Sequence, residues 1–252
     1  MTLGSEEILI GLMVTLVAGL VHGAFGLGFP MIATPILALV TDVKTAILLT
    51  LAPNIAVNLW SLIRGGNWLD SVVRFWPVAG WMLVGSALGT LVLVAMDPNP
   101  FRLLLAATVV LYLLSDQIKR INWNWIGRHP KASGAGAGLL GGLLGGTVNV
   151  GGPVMMIYFL ELRLAPVVLV QAINLCFLLG KGTQAVTFAL LGMLGPNLLL
   201  LSLPLGITAL IGLRGGMWLR ERVAADTYRG WLKGLLWVLS ILLVVQFLRA
   251  LN

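Results

Sequence analysis

Long runs of uncharged, mostly apolar residues alternate with short polar segments along this chain. The uncharged runs cover residues 8–41, 45–63, 75–96, 103–115, 132–160, 164–180, 182–213 and 234–248. A helix that crosses a lipid bilayer needs about 20 apolar residues. Because several runs reach or exceed that length, the pattern predicts an all-α, polytopic integral membrane protein.

Glycine and proline divide the longest runs into shorter helices. The breaks fall at 26–30, 149–153 and 195–196. The pattern then predicts about eight long helices and two short ones. The long helices are expected near residues 6–25, 45–63, 74–96, 101–118, 132–148, 166–192, 197–220 and 229–249. The short helices, near 30–41 and 153–163, follow the first two breaks directly.

The two halves of the chain repeat the same order of glycines, prolines and polar residues. Segment 22–30 aligns with 145–153, and Asn54 aligns with Asn174. Further on, four residues align with four others 127 positions later: Pro77, Gly85, Gly89 and Arg102 with Pro204, Gly212, Gly216 and Arg229. We therefore predict one membrane domain built from two repeats, residues 1–125 and 126–252. A shared bias toward glycine and leucine is the alternative explanation.

Loop charges give the two repeats opposite orientations. Segment 119–131 is rich in Lys and Arg, which mark cytoplasmic loops. Counting helices outward places 64–74 and 220–229 in the cytoplasm, and 97–101 and 191–196 outside. Aligned segments then lie on opposite faces, an inverted-topology repeat that is typical of secondary transporters. Both termini are expected in the periplasm.

Composition agrees with a membrane protein and excludes several other classes. Of the 252 residues 59% are apolar and 10% are charged, and the mean hydropathy is +1.00. A soluble domain has about 25% charged residues. This excludes a soluble enzyme, a nucleic-acid-binding domain and a disordered chain. The net charge of +7 is assigned to cytoplasmic loops, so we expect the lipid bilayer as a partner and no nucleic acid.

Other chemistry is sparse in the sequence. Cys176 is the single cysteine, so neither an intrachain disulfide nor a Cys-rich metal site is expected. We expect no metal and no cofactor. A Walker A motif is absent, which argues against direct use of ATP. Residues 1–7 carry two acids and no Lys or Arg, unlike a cleavable signal, so the first apolar run is expected to stay in the mature protein.

The first two breaks have the features of an anion site. Pro30 and Pro153 stand where the short helices are predicted to begin, and proline is favoured at the first helical position. A helix N-terminus carries about half a positive charge and binds anions. Two such ends that converge would bind a small anionic substrate. The break residues expected to line this site are Gly26, Gly28, Phe29, Asn149, Gly151 and Gly152. Close helix packing through the glycines is the alternative.

Polar residues inside apolar helices are the other candidates for substrate binding. Lys181 is expected to supply the counter-charge of the anion; it could instead bind backbone carbonyls or reach an interface. Asn54 and Asn58 lie four residues apart on one helix face, and Asn174 is the repeat counterpart of Asn54. Interhelical hydrogen bonding is their alternative role. His22 could carry a proton or donate to the substrate, or could be a satisfied core residue.

These motifs resemble a known family of membrane permeases. The segments GAFGLGFPMIATPILAL and TLAPNIAVNLW resemble the first half of the sulfite exporter TauE/SafE family, and GGLLGGTVNVGGPVMMIYFL resembles its second Gly-Gly-Pro segment. The resemblance implies export of small sulfur-containing anions, such as sulfite or organosulfonates, from bacterial cells. Its motif positions here are Gly26, Gly28, Phe29, Pro30, Asn54, Gly151, Gly152, Pro153 and Asn174. The first break reads Gly-Phe-Pro, so the two half-sites are not chemically equivalent.

We therefore expect a secondary transporter in the bacterial inner membrane rather than an enzyme. A permease for another small organic or inorganic anion is one alternative, and a non-transporting assembly protein is another. An intramembrane protease would need a serine such as Ser86 with a partner histidine, a pattern that the sequence supplies poorly. Coupling through protons at His22 or Lys181, coupling to another ion, and transport along the gradient of the anion all remain open, as does the oligomeric state.

Overall fold

A computed structural model describes residues 4–66, 69–114, 117, 123–222 and 225–250. Within these ranges the chain forms eleven α-helices, one π-helical turn and no β-strand. The helices of the first half are α1 (Ser5–Phe25), α2 (Phe29–Val40), α3 (Val43–Arg64), α4 (Arg74–Ala95) and α5 (Asn99–Leu113). Those that follow are α6 (Asn124–Arg128), α7 (Pro130–Thr147), α8 (Gly152–Glu161), α9 (Pro166–Leu190), α10 (Pro196–Arg220) and α11 (Ala225–Arg249).

Six helices are long and apolar enough to cross a membrane, namely α1, α3, α4, α9, α10 and α11. The expected all-α, multi-pass membrane class is confirmed. Two of the helices expected to be long fall outside this set. Helix α5 has 15 residues, and α7 has 18 residues but a high content of glycine, which lowers its hydropathy. Lys119 and Arg120, which contributed to the predicted orientation, lie outside the described residues.

Two elements were not predicted from the sequence. A π-helical turn, Leu69–Val73, leads directly into α4. Helix α6 covers five residues and ends at Arg128. The next residue, His129, precedes Pro130, and a residue before proline is disfavoured in helical conformation. The chain therefore leaves the helix at His129 and starts α7 at Pro130.

The two short helices begin where the glycine–proline breaks predict. Helix α1 ends at Phe25, the next residue, Gly26, has φ of 79°, and α2 starts at Phe29 with Pro30 in its first turn. In the second half Asn149 has φ of 65°, and α8 starts at Gly152 with Pro153 next. At about 1.5 Å per residue, α2 and α8 are about 18 Å and 15 Å long. They are too short to cross a hydrocarbon core of about 30 Å.

The most extensive helix contacts each join a helix of the first half to a helix of the second half. Helix α1 packs along α10, and α4 packs along α7. A Cβ atom added at Gly19 would overlap the carbonyl of Ala209, and one added at Gly142 would overlap the carbonyl of Met82. These two contacts lie at positions that the sequence alignment relates by offsets of 123 and 127. The pairs α1–α10 and α4–α7 therefore meet in matching ways.

Close packing is thus the observed role of many helix glycines. The same type of overlap with a carbonyl on the facing helix is found at Gly23, Gly85, Gly89, Gly138, Gly146, Gly212 and Gly216. In each case the missing side chain lets two helix backbones approach each other. The division into repeats 1–125 and 126–252, and their opposite orientation, stay predictions.

Candidate functional site

Both breaks contribute to one buried cavity between the halves. Its lining consists of Pro30, Asn54, Met82, Ser86, Gly145, Asn149, Gly151, Phe177, Gly180 and Lys181. The cavity volume is about 10 Å³, which is room for about one water molecule. In this conformation the cavity is closed, and an anion larger than water needs its lining to move.

The side chain of Asn149 connects the second break to the first half. Its amide nitrogen donates to the hydroxyl of Thr34 at 2.7 Å and to that of Thr50 at 2.9 Å. Its amide oxygen accepts from Asn54 at 3.4 Å. Asn149 is buried and has left-handed backbone conformation, which asparagine tolerates better than most residues. The second break is therefore held by polar groups from α2 and α3.

The first break is held in the matching way by the second half. The Asn174 amide nitrogen donates to the Gly26 carbonyl oxygen at 2.8 Å. Gly26 aligns with Asn149 in the predicted repeat, and both residues have positive φ. Asn54 and Asn174, which are also counterparts, thus each reach the break of the opposite half.

The first turns of the two short helices lie close together. A Cβ atom added at Gly152, the first residue of α8, would be 3.7 Å from the sulfur of Met31 in α2. The same atom would be 3.9 Å from the Phe177 ring, which lines the cavity. The N-terminal ends of α2 and α8 therefore adjoin the cavity from different halves.

Lys181 lies at the cavity and is 4% exposed. Its ammonium group donates to the Gly145 carbonyl oxygen at 2.7 Å and to the Gln184 side-chain oxygen. Gln184 in turn donates to the Gly146 carbonyl oxygen at 2.9 Å. Among the described residues no carboxylate pairs with this lysine. An ammonium group has three N–H donors, so one remains beyond these two bonds. Lys181 therefore binds a backbone carbonyl, which was the alternative to binding the substrate, and it does so at the wall of the cavity.

His22 lies one helical turn before the first break and is 1% exposed. One ring nitrogen, Nε2, is 3.1 Å from the Ser61 hydroxyl. The other, Nδ1, is buried without a hydrogen-bond partner, and so is the side-chain oxygen of Asn174. The Asn174 side chain is a neighbour of the imidazole within hydrogen-bonding reach. His22 is not part of the cavity lining.

The remaining candidates lie around the cavity rather than on it. Asn58 donates to the backbone and side-chain oxygens of Asn54, each at 2.7 Å. Phe29 is fully buried in the hydrophobic core. Gly28 lines a second, mainly apolar pocket between α1, α2, α5 and α11. Of the predicted binding residues, Asn54, Asn149, Gly151 and Lys181 line the cavity, and the others are not part of its lining.

Sequence reasoning missed several polar residues that belong to this region. Thr50, Asn54, Asn58 and Ser61 are all buried along one face of α3. Their spacing of three and four residues is a signal that could have identified Thr50 and Ser61. Gln184 follows Lys181 by three residues and could have been found in the same way. Thr34, alone on apolar α2, has no such signal. Ser86, the serine considered for a protease, donates to the Gly180 carbonyl oxygen at 2.6 Å.

Comparison with known proteins confirms the resemblance seen in the sequence. A family model described as sulfite exporter TauE/SafE matches residues 11–243. No curated protein and no solved structure matches the chain.

Proposed function

The chain belongs to the sulfite exporter TauE/SafE family, and on this premise we propose that it is a secondary transporter that exports a small sulfur-containing anion. Sulfite or an organosulfonate is the expected substrate. The expected location is the bacterial inner membrane, with both termini in the periplasm and with the two repeats inverted. We propose transport without an enzymatic reaction.

The shared cavity carries this proposal. Pro30 comes from the first break, Asn149 and Gly151 come from the second, and Lys181 supplies the buried cation. A helix N-terminus and an ammonium group both favour negative charge. The Asn54 amide nitrogen has one N–H beyond its bond to Asn149 and can donate to an oxyanion oxygen. A small tetrahedral or pyramidal oxyanion suits this combination of donors.

The closed cavity suggests how transport proceeds. Access from one side at a time requires movement of the elements around a central site. The tightly packed pairs α1–α10 and α4–α7 are suited to move as rigid units, because their backbones interlock at glycines. Relative movement of the two pairs would open the cavity toward one face or the other. Asn54 on α3 and Asn174 on α9 hold the breaks that follow α7 and α1, so these two contacts would have to adapt to the movement.

Counterflow in proteoliposomes tests the proposed function. Vesicles that contain the purified protein and unlabelled sulfite inside should transiently accumulate labelled sulfite from a dilute external solution. Taurine and methanesulfonate, added as competitors, would show whether organosulfonates share the site. Lys131→Met is a suitable control variant, because Lys131 is exposed on α7 and lies outside the cavity. Absence of counterflow with sulfite and with both sulfonates would overturn the proposal.

A further inference from the structure

Two buried basic side chains of the described residues, His22 and Lys181, belong to contact pairs that the alignment relates to each other. Ser61 aligns with Lys181 at the offset that relates Asn54 to Asn174, and His22 aligns with Gly145 at the offset of the breaks. In the first half His22 contacts Ser61, and in the second half Lys181 contacts Gly145. The pair His22–Ser61 therefore contains an imidazole, and the aligned pair Gly145–Lys181 contains an ammonium group.

The surroundings of His22 can accept a proton on either ring nitrogen. The Ser61 hydroxyl can accept a hydrogen bond from Nε2 or donate one to it. Nδ1 and the Asn174 oxygen are both buried and without partners, and the Asn174 oxygen can only accept. A ring that carries both protons would donate toward Ser61 and toward Asn174. A buried polar group normally has a partner, and a proton on Nδ1 is the change that could pair these two atoms.

Charged side chains do not compete for this site. Helix α2 has none, α9 has only Lys181, and those of α3 and α10 are Lys44, Arg64, Arg214 and Arg220. The Arg64 guanidinium lies over the Trp60 ring, and Lys44 donates to the Val94 carbonyl oxygen. Arg214 and Arg220 are exposed. In the described part of the chain, none of these groups contacts the imidazole.

We propose that His22 carries one proton through the membrane together with each exported anion. This inference rests on the proposed function. On the cytoplasmic side water supplies a proton to the ring, and on the outer side the ring returns it to water, so no bond of the anion changes. Because the imidazolium and the anion attract each other, each stabilises the binding of the other. The empty protein returns with a neutral ring.

The position of His22 fits this role better than direct substrate binding. Ser61 lies seven residues beyond Asn54 on α3, which is about 10 Å along the helix axis. His22 is therefore behind the cavity, and Asn174 connects it to the first break through the Gly26 carbonyl. The Lys181 ammonium group is held at the cavity wall by Gly145 and Gln184, whereas the imidazole keeps one ring nitrogen without a partner.

Sulfite accumulation in vesicles tests the proposal. The membrane potential is set to zero with potassium and valinomycin, and a roughly tenfold proton gradient is imposed with the alkaline side inside. If one proton accompanies each anion, the unaltered protein should accumulate labelled sulfite about tenfold more than His22→Gln does. Sulfite has the same acid–base chemistry in both preparations, so the ratio of the two accumulated amounts of sulfite isolates the contribution of His22. His129→Gln is the control, because His129 is exposed and should leave the accumulation unchanged.

The possible outcomes separate the two proposals. If the unaltered protein shows no sulfite counterflow, the proposed function fails as stated for sulfite, and the proton role fails with it. If counterflow is present but His22→Gln reaches the same accumulation ratio as the unaltered protein, the proton role is overturned and transport stands.

A second variant covers the case in which His22→Gln does not fold. Ser61→Asp places a carboxylate beside Nε2 and should hold the ring in its protonated form. The return of the empty protein, which needs a neutral ring, then becomes slow. We expect sulfite exchange to continue while net sulfite transport falls at least about tenfold. Net transport as fast as exchange in this variant would contradict the proton role.

Discussion

The Asn174 side chain donates a hydrogen bond to the backbone carbonyl of Gly26, across 148 positions of the chain. Asn54, which aligns with Asn174 in the predicted repeat, donates to Asn149, the residue that aligns with Gly26. Each half therefore supports the broken helix of the other. This reciprocal support explains how two breaks far apart in sequence reach one cavity.

Removal of the cavity cation should weaken anion binding. In Lys181→Met we expect the half-saturation concentration for sulfite counterflow to rise about 10- to 100-fold, because a charge-assisted hydrogen bond contributes roughly 1.5–3 kcal/mol. Lys181→Arg should retain part of the affinity. Thermal unfolding in detergent serves as the companion measurement. A variant with lower stability and unchanged affinity would assign Lys181 to holding the end of α7 alone.

The left-handed conformation of Asn149 can be separated from its hydrogen bonds. Asn149→Gly keeps the conformation and removes the bonds to Thr34 and Thr50, each worth about 1 kcal/mol. Asn149→Ala should cost about 1–2 kcal/mol more, because alanine is strained at positive φ. The free energies of unfolding of the unaltered protein, Asn149→Gly and Asn149→Ala measure the loss of the hydrogen bonds and the added backbone strain separately. Equal stability of the Gly and Ala variants would show that the backbone conformation is not required.

Adjacent glycines in α10 provide a matched test of the helix interlock. A Cβ atom at Gly216 would overlap the Leu20 carbonyl, whereas one at Gly215 would meet nothing within 4 Å. Gly216→Ala should therefore lower stability by roughly 1–3 kcal/mol. Gly215→Ala should be neutral or should stabilise by about 0.5–1 kcal/mol. Melting temperatures and purified yields compare the two, and a ranking in the opposite order would refute the close approach of α1 and α10.

Single-cysteine labelling tests the orientation of the halves. In a Cys176→Ser background, Arg128→Cys should be inaccessible to a membrane-impermeant reagent added outside intact cells, because 119–131 is predicted to be cytoplasmic. Leu191→Cys should react, because 191–196 is predicted to be external. Both positions are exposed in the structure. Labelling of position 128 from outside would refute the inverted-repeat orientation.

The sequence by itself determined the membrane class, the helices and the two breaks. Hydropathy and the positions of Gly and Pro are local properties, so helix ends such as Phe25, Arg64 and Arg220 lie close to their predicted places. The family resemblance was also readable from motifs at the breaks. The aligned glycines Gly85, Gly89, Gly212 and Gly216 lie where helices approach closely in the structure.

Only the tertiary structure decided which polar groups meet. Whether Asn149 contacts Thr34, or His22 contacts Ser61, depends on the relative placement of helices that are far apart in sequence. That placement follows from the interlocked glycines of α1–α10 and α4–α7, because backbone approach sets the distance and rotation of whole helices. A polar residue in an apolar helix must find a partner, but its own sequence neighbourhood does not specify which one. For this reason Lys181 and His22 were recognisable as unusual residues, while their contacts came from the packing of the two halves.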